Sequence, residues 1–290
     1  MNTKLSFSGH ESFHCRNVWL KKGYDFLKKE HKFNEPTAVV DLGVGKNMVS
    51  SINYWMKSFG LVEKNNSLSD LANFLFGKNG ADPYLEDNAT LWLLHFHLVT
   101  DDFASIYSLL FNEFRKKRIE FNKKHFLYFI RRRCEETNSN YNEKTVQRDI
   151  SVILRNYVKP KKASKNLEDL FSGIFIDLNL IEPLKKFNEE EMDWYKIENK
   201  DRTDIPAELI LYCILSNLGD NNSILFDDIL FRYNSVGNVF ALSTKGLLEK
   251  IQILTEKYSS ITFSDDAGIR LLQFKSKQNK FKILRKYYGK

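Results

Sequence analysis

Apolar positions recur at helical spacing from the start of the chain. Trp19, Leu20, Tyr24, Phe26 and Leu27 give Trp19–Glu30 one apolar side, which predicts an amphipathic helix. Asn34-Glu35-Pro36 opens a second, short helix over Thr37–Leu42, with the proline in its first turn. Gly43-Val44-Gly45 breaks it. A third helix runs from Lys46 to Phe59, with Met48, Val49, Ile52, Trp55, Met56 and Phe59 on one face, and Gly60 ends it. Leu61-Val62-Glu63 reads as a strand, Lys64-Asn65-Asn66 as a turn and Ser67-Leu68 as the returning strand, before a helix at Asp70–Phe76. Three helices followed by a short hairpin is the order of a winged helix-turn-helix. The outward face of its third helix would carry Lys46, Asn47, Ser50, Ser51, Asn53 and Lys57, residues that suit phosphates and base edges.

Asp82 and Pro83 have the residue types of an N-cap and first helical position, so a helix is expected to open there. Asn88–Val99 is apolar nearly all round and reads as a core helix, and Phe103–Phe114 as another. A basic helix over Lys123–Thr137, the loop Asn138-Ser139-Asn140 and an Asn142-capped helix over Glu143–Tyr157 suggest a second helix-turn-helix. Its last helix would bury Val146, Ile150, Ile153 and Leu154 and expose Lys144, Arg148 and Arg155. Lys159–Lys165 resembles a linker or exposed loop, Asn166–Glu182 a short helix and strand, and Glu189-Glu190-Glu191 an acidic turn. Pro206–Leu218 and a Ser243-capped segment through Lys257 read as helices. Strands follow at Ser260–Ser264 and Ile269–Phe274, around Asp265-Asp266-Ala267-Gly268. The expected fold is mainly α with short β-hairpins, an N-terminal winged helix-turn-helix and further helix-turn-helix-like units. Divisions are placed after residues 80 and 160, giving domains 1–80, 81–160 and 161–290.

Charge adds a direction. The net charge of +7 permits nucleic-acid binding, and placement sharpens this: Arg115–Arg118, Lys123-Lys124, Arg131–Arg133 and Lys159–Lys165 are basic clusters. No stretch approaches the roughly 20 apolar residues of a membrane span, and no secretory leader pattern opens the chain. Cys15, Cys134 and Cys213 are far apart without metal-finger spacing. A cytoplasmic location is therefore expected.

Candidate chemistry is sparse. Gly43-Val44-Gly45-Lys46-Asn47 lacks the first glycine and the hydroxyl of a phosphate-binding loop, which excludes an NTPase and leaves Lys46 as a phosphate contact. Asp82, Glu86 and Asp87 form a carboxylate group. Asp82 and Glu86, four apart, would share a helical face, as nucleases arrange ligands for a divalent cation. In Phe7-Ser8-Gly9-His10-Glu11, followed by Arg16, His10 suits a general base, Glu11 a metal ligand or orienter and Arg16 a phosphate clamp. The alternative for this segment is an arm held to the body by polar contacts. His10 and His14 have helical metal-pair spacing but no third ligand, so zinc is not expected, and one of His95 and His97 is expected as a satisfied core histidine.

Phe7–Glu11, Trp19-Leu20-Lys21-Lys22-Gly23, Leu42–Val49, Asp82–Asp87 and Thr90–His95 together resemble the SspB-like family, bacterial proteins long labelled a domain of unknown function. Its members occur beside the sulfur-transferring enzymes of DNA phosphorothioation. The similarity is densest in the first hundred residues; Arg148-Asp149 and Glu168-Asp169 look like further family positions, while His14-Cys15 departs from the pattern. The resemblance implies the DNA-nicking component of an antiphage modification system. Such a protein would bind double-stranded DNA and act with a cysteine desulfurase, an ATPase and an enzyme related to phosphoadenosine phosphosulfate reductases. A metal-dependent nicking endonuclease would use Mg2+ or Mn2+, with His10, Glu11, Asp82, Glu86 and Asp87 as catalytic candidates and Glu11, Asp82 and Glu86 as metal ligands. DNA contacts would come from Arg16, Lys46, Asn47, Ser50, Ser51, Asn53, Lys57 and Arg148. The competing reading is a non-catalytic adaptor or regulator that recruits the sulfur-transfer machinery.

Overall fold

The computed structural model describes residues 4–160, 173–186 and 192–289. The linker reading over 161–165, the start of the expected helix at 166–172, with Glu168-Asp169, and Glu189–Glu191 lie outside the described residues. The protein is mainly helical with small antiparallel sheets. Its residues group into two compact units: residues 1–86 with 97–197, and residues 87–96 with 198–290. These lines differ from the divisions after residues 80 and 160.

The first unit opens with α1 (Asn17–Lys28), α2 (Ala38–Leu42), α3 (Lys46–Ser58) and α4 (Asp70–Phe76). The apolar faces of α1 and α3 pack together. Their close approach needs Gly23, where an added Cβ would lie 2.9 Å from the Met56 side chain. Gly43, with φ of 60°, ends α2 in the left-handed conformation glycine favours. Between α3 and α4 the expected hairpin is a single antiparallel bridge, Val62 to Leu68, closed by Glu63 N–H donating to Ser67 O.

Where a helix was expected to open at Asp82 the chain makes a turn instead. Leu85 has a positive φ of 58°, and Asp82 Oδ1 accepts from Glu86 N–H at 3.0 Å. The helix α5 (Asn88–Thr100) begins later, where Asp87 Oδ1 accepts from Ala89 N–H. A left-handed residue interrupts the helical ladder, so Asp82 and Glu86 do not share a helix face. The expected helix Phe103–Phe114 is also broken up, into a 3-10 turn, α6 (Ser105–Ser108) and a π-helical turn at Leu109–Phe114, after which α7 (Arg115–Lys117) follows directly. The basic helix α8 (Lys123–Glu136) and α9 (Glu143–Tyr157) occur as expected and pack on each other. Asn122 and Asn142 cap them. Three strands, β1 (Glu120–Asn122), β2 (Glu182–Leu184) and β3 (Trp194–Lys196), form a sheet ordered β1-β3-β2.

The second unit contains the first residues of α5, then α10 (Ala207–Leu218), α11 (Phe226–Phe231), α12 (Val236–Val239), α13 (Thr244–Lys257) and α14 (Lys280–Tyr287). Its sheet joins β4 (Ser223–Leu225) to the hairpin β5 (Ile261–Asp266) and β6 (Ile269–Phe274) in the order β4-β6-β5. Ala267 and Gly268, both at positive φ, make the two-residue turn of that hairpin. His95 is fully buried here and donates from Nε2 to Val239 O at 2.8 Å, the satisfied core histidine the sequence suggested. No helix among the described residues is long and apolar enough to cross a membrane.

Candidate nucleic-acid interface

The N-terminal arm is held by polar contacts, chiefly from α9. Ser8, Gly9, Glu11 and Ser12 all have positive φ, a run of strained backbone that persists only when fixed from outside. Asp149 on α9 supplies much of the fixing. Its Oδ2 accepts from Ser8 N–H at 2.8 Å, and its Oδ1 accepts from His10 Nε2–H at 3.0 Å. His10 Nδ1 in turn accepts from Ser12 N–H at 3.2 Å, which sets the proton on Nε2. Asn156, two turns further along α9, accepts from Cys15 N–H and donates to Tyr107 Oη. The His10 ring is buried and packs edge-on to Tyr54 and parallel to Trp55. Both its nitrogens are engaged, so in this arrangement His10 positions the arm and has no lone pair for a proton in transit.

This arm forms part of a groove of about 750 Å³ on the outward face of α3. Lys46, Ser50, Asn53 and Lys57 line it at i, i+4, i+7 and i+11, one stripe of the helix. Gly9 and Phe103 border it from the arm and the 3-10 turn, and Phe33 to Pro36 with Ala38 and Val39 border it from the segment leading into α2. The acid in this wall, Glu35, accepts from Lys32 N–H. Tyr54 also lines the groove, 5.5 Å between centroids from the half-exposed Phe103 ring. Burial, reinforced by the nearby Asp149 charge, pushes the Tyr54 phenol well up, so it stays neutral. Gly9 has φ of 107°, and a Cβ there would lie 2.6 Å from the Tyr54 ring.

The outward-face residues named from sequence divide three ways. Lys46, Ser50, Asn53 and Lys57 come together in the groove. Asn47 and Arg148 are exposed on α3 and α9, and Arg16 lies over the Trp19 ring at 5.2 Å; none of these three lines the groove. Ser51 is a correction. It is fully buried, because about 100° of helical rotation takes it from Ser50 to the side of Trp55 and Ser58. It cannot touch DNA. Sequence reasoning missed Tyr54 and Phe103, and it gave Asp149 only as a position resembling the family, with no role. Asp149 lay in plain view beside Arg148, but only pairing with His10, 139 residues away, shows its purpose.

The carboxylates do not gather. Asp82 is buried and caps the turn, Glu86 and Glu11 are exposed, and Asp87 in the second unit accepts from Tyr287 Oη at 3.1 Å. Among the described residues no group of three or more His, Cys, Asp or Glu side chains is placed to hold a metal ion. Glu11, Asp82 and Glu86 therefore do not fit a cage of protein ligands. Any Mg2+ held here would keep most of its coordination as water or phosphate oxygen.

A family model matches residues 7–288. The chain belongs to the DUF4007 family, described as proteins of unknown function. Two solved structures similar to this DUF4007 chain are crystal structures of SspB. One, with magnesium ion bound, is 25% identical with a TM-score of 0.86; the other is 26% identical with a TM-score of 0.83. Each alignment covers 98% of this chain and 88% of the other, so the likeness extends through both units. Among curated proteins none matches significantly.

Proposed function

We propose that this DUF4007 protein is a DNA-binding component of a phosphorothioation module, with α1 to α3 and the Val62–Leu68 turn working as a winged helix-turn-helix and α3 as the docking helix. The observation that carries this reading is the stripe of Lys46, Ser50, Asn53 and Lys57 lining one groove. Two lysines bracket two small polar side chains, which suits phosphates at the ends and base edges between them. The resemblance to SspB supplies the module. Its other members would be the cysteine desulfurase, the ATPase and the phosphoadenosine phosphosulfate reductase-like enzyme.

Charge neutralisation tests the docking face. Lys46→Ala and Lys57→Ala should each weaken duplex binding and lower the slope of log K against log salt by about 0.9. Fluorescence anisotropy over a salt series measures both, and unchanged slopes would move the duplex elsewhere.

Strand nicking with Mg2+ or Mn2+ is the activity that the resemblance suggests. Supercoiled plasmid incubated with pure protein and either cation should yield the open-circular form. The adaptor reading draws support from two observations: Asp82 is committed to a turn, and both nitrogens of His10 are hydrogen-bonded. Tight binding with no open-circular product in either cation would favour it, and would place the nick with a partner.

A further inference from the structure

A second basic groove lies away from α3, between α7 and α8. Its volume is about 630 Å³, and its lining is Phe114, Lys117, Arg118, Tyr128, Phe129, Arg131, Arg132 and Glu135. Cations outnumber acids there by four to one. The sequence explains the density: the run Arg115–Arg118 ends one helical segment and Arg131–Arg133 lies on the next, and α8 packs against the π-helical turn that precedes α7. Arg131 and Arg132 are more than half exposed and pair within α8 with Glu135 and Glu136. Such solvent-exposed pairs hold their partners weakly and can be exchanged for a phosphate.

One side chain separates this groove from an ordinary basic helix face. Tyr128 is 73% exposed, although large aromatic rings are normally covered. On α8 it stands one turn before Arg131 and Arg132, at i, i+3 and i+4, so an open ring face and two guanidinium groups share one stripe. At the groove's inner wall Lys117 lies 5.3 Å from the Phe129 ring centroid. An exposed ring beside clustered cations recognises a polyanion that carries flat, unstacked groups. A duplex offers its phosphates but keeps its bases stacked inside, so it cannot use the ring.

We propose that the α7–α8 groove binds single-stranded DNA, with Arg118, Arg131 and Arg132 on the phosphates and a base stacked on Tyr128. This site is independent of the duplex-docking reading of α3. For a protein acting on DNA whose strands are separated or interrupted, it would hold the released strand.

The test is anisotropy of a short fluorescein-labelled oligothymidylate and of a labelled duplex, with each variant checked for native circular dichroism. All the substituted residues are exposed, so the fold should survive. Arg131→Glu with Arg132→Glu should weaken single-strand binding about tenfold or more. Tyr128→Ala should weaken it about fivefold or more, and Tyr128→Phe should retain affinity within about twofold, because stacking needs the ring and not the hydroxyl. Glu135→Gln, which removes the one acid in the lining, should tighten it. Lys46→Ala should leave single-strand affinity unchanged even if it abolishes duplex binding, so the two sites fail separately. Three results would overturn the proposal: single-strand affinity indifferent to Arg131 and Arg132; equal losses for duplex and single strand in Tyr128→Ala; or polyglutamate competing as well as unlabelled oligonucleotide. The last would assign the groove to an acidic protein partner.

Discussion

Gly9 has both a backbone angle that other residues adopt only under strain and no space for a β-carbon against Tyr54. Gly9→Ala should therefore destabilise the protein by about 1–3 kcal/mol, read as a lower midpoint in urea denaturation, and should distort the edge of the α3 groove. Ser51 presents the opposite case. Its Oγ is fully buried and has no hydrogen-bond partner among the described residues, so the hydroxyl is a burden to the fold. Ser51→Ala should leave DNA affinity unchanged and hold or raise stability by up to about 1 kcal/mol. A loss of binding in that variant would put Ser51 back on the docking face. Composition distinguishes neither residue from its neighbours: a glycine or a serine reads the same whether its role is conformational, structural or functional.

Among the elements, α3 was the most legible. Its apolar period assigned the buried face, and the residue opposite each buried position had to face out, so Lys46, Ser50, Asn53 and Lys57 followed directly. Ser51 failed because it stands at the border between faces, where period alone cannot decide. The helix that holds the arm was legible as a helix but not in its purpose. Asn142 Oδ1 caps α9 by accepting from Thr145 N–H at 3.0 Å, and α9 then presents Asp149 and Asn156 to the arm. Asn142→Ala should cost about 1 kcal/mol. If the arm depends on α9 as these bonds suggest, amide exchange at Ser8 and Cys15 should accelerate with it. Unchanged protection at those two amides would show that the arm is held mainly by its packing on Tyr54 and Trp55.

Over the whole molecule, buried and half-buried tyrosines link folding to alkaline pH. Burial pushes Tyr195 up to about 12, and burial together with Asp87 pushes Tyr287 up to about 12. Burial pushes Tyr107 and Tyr157 well above their ordinary value. The sign follows from proton counting. Above the unfolded tyrosine value near 10, the unfolded chain loses these protons while the folded one keeps them, so stability falls as pH rises from about 10 to 12. Titration followed by tyrosinate absorbance should show these groups ionising only as the protein unfolds. Smooth ionisation near pH 10 with native circular dichroism would contradict the burial.

Periodicity, turn residues and caps fixed most helices, the β5–β6 hairpin and the outward stripe of α3 from sequence alone, because those signals are local: each depends on residues within a few positions of one another. The broken helix at Phe103–Phe114, the sheet β1-β3-β2 and the turn at Asp82 depend on partners or backbone angles that no local window contains. The same holds for the sites. His10, Asp82 and Glu86 have the chemistry of a nuclease as residue types, and tertiary structure decides what that chemistry is used for. It commits the imidazole to Asp149 and Ser12 and one carboxylate to a turn, and it builds a groove from lysines whose spacing had already aligned them. A side chain's type sets which hydrogen bonds and charges it can offer; only the folded surroundings determine whether those are still free.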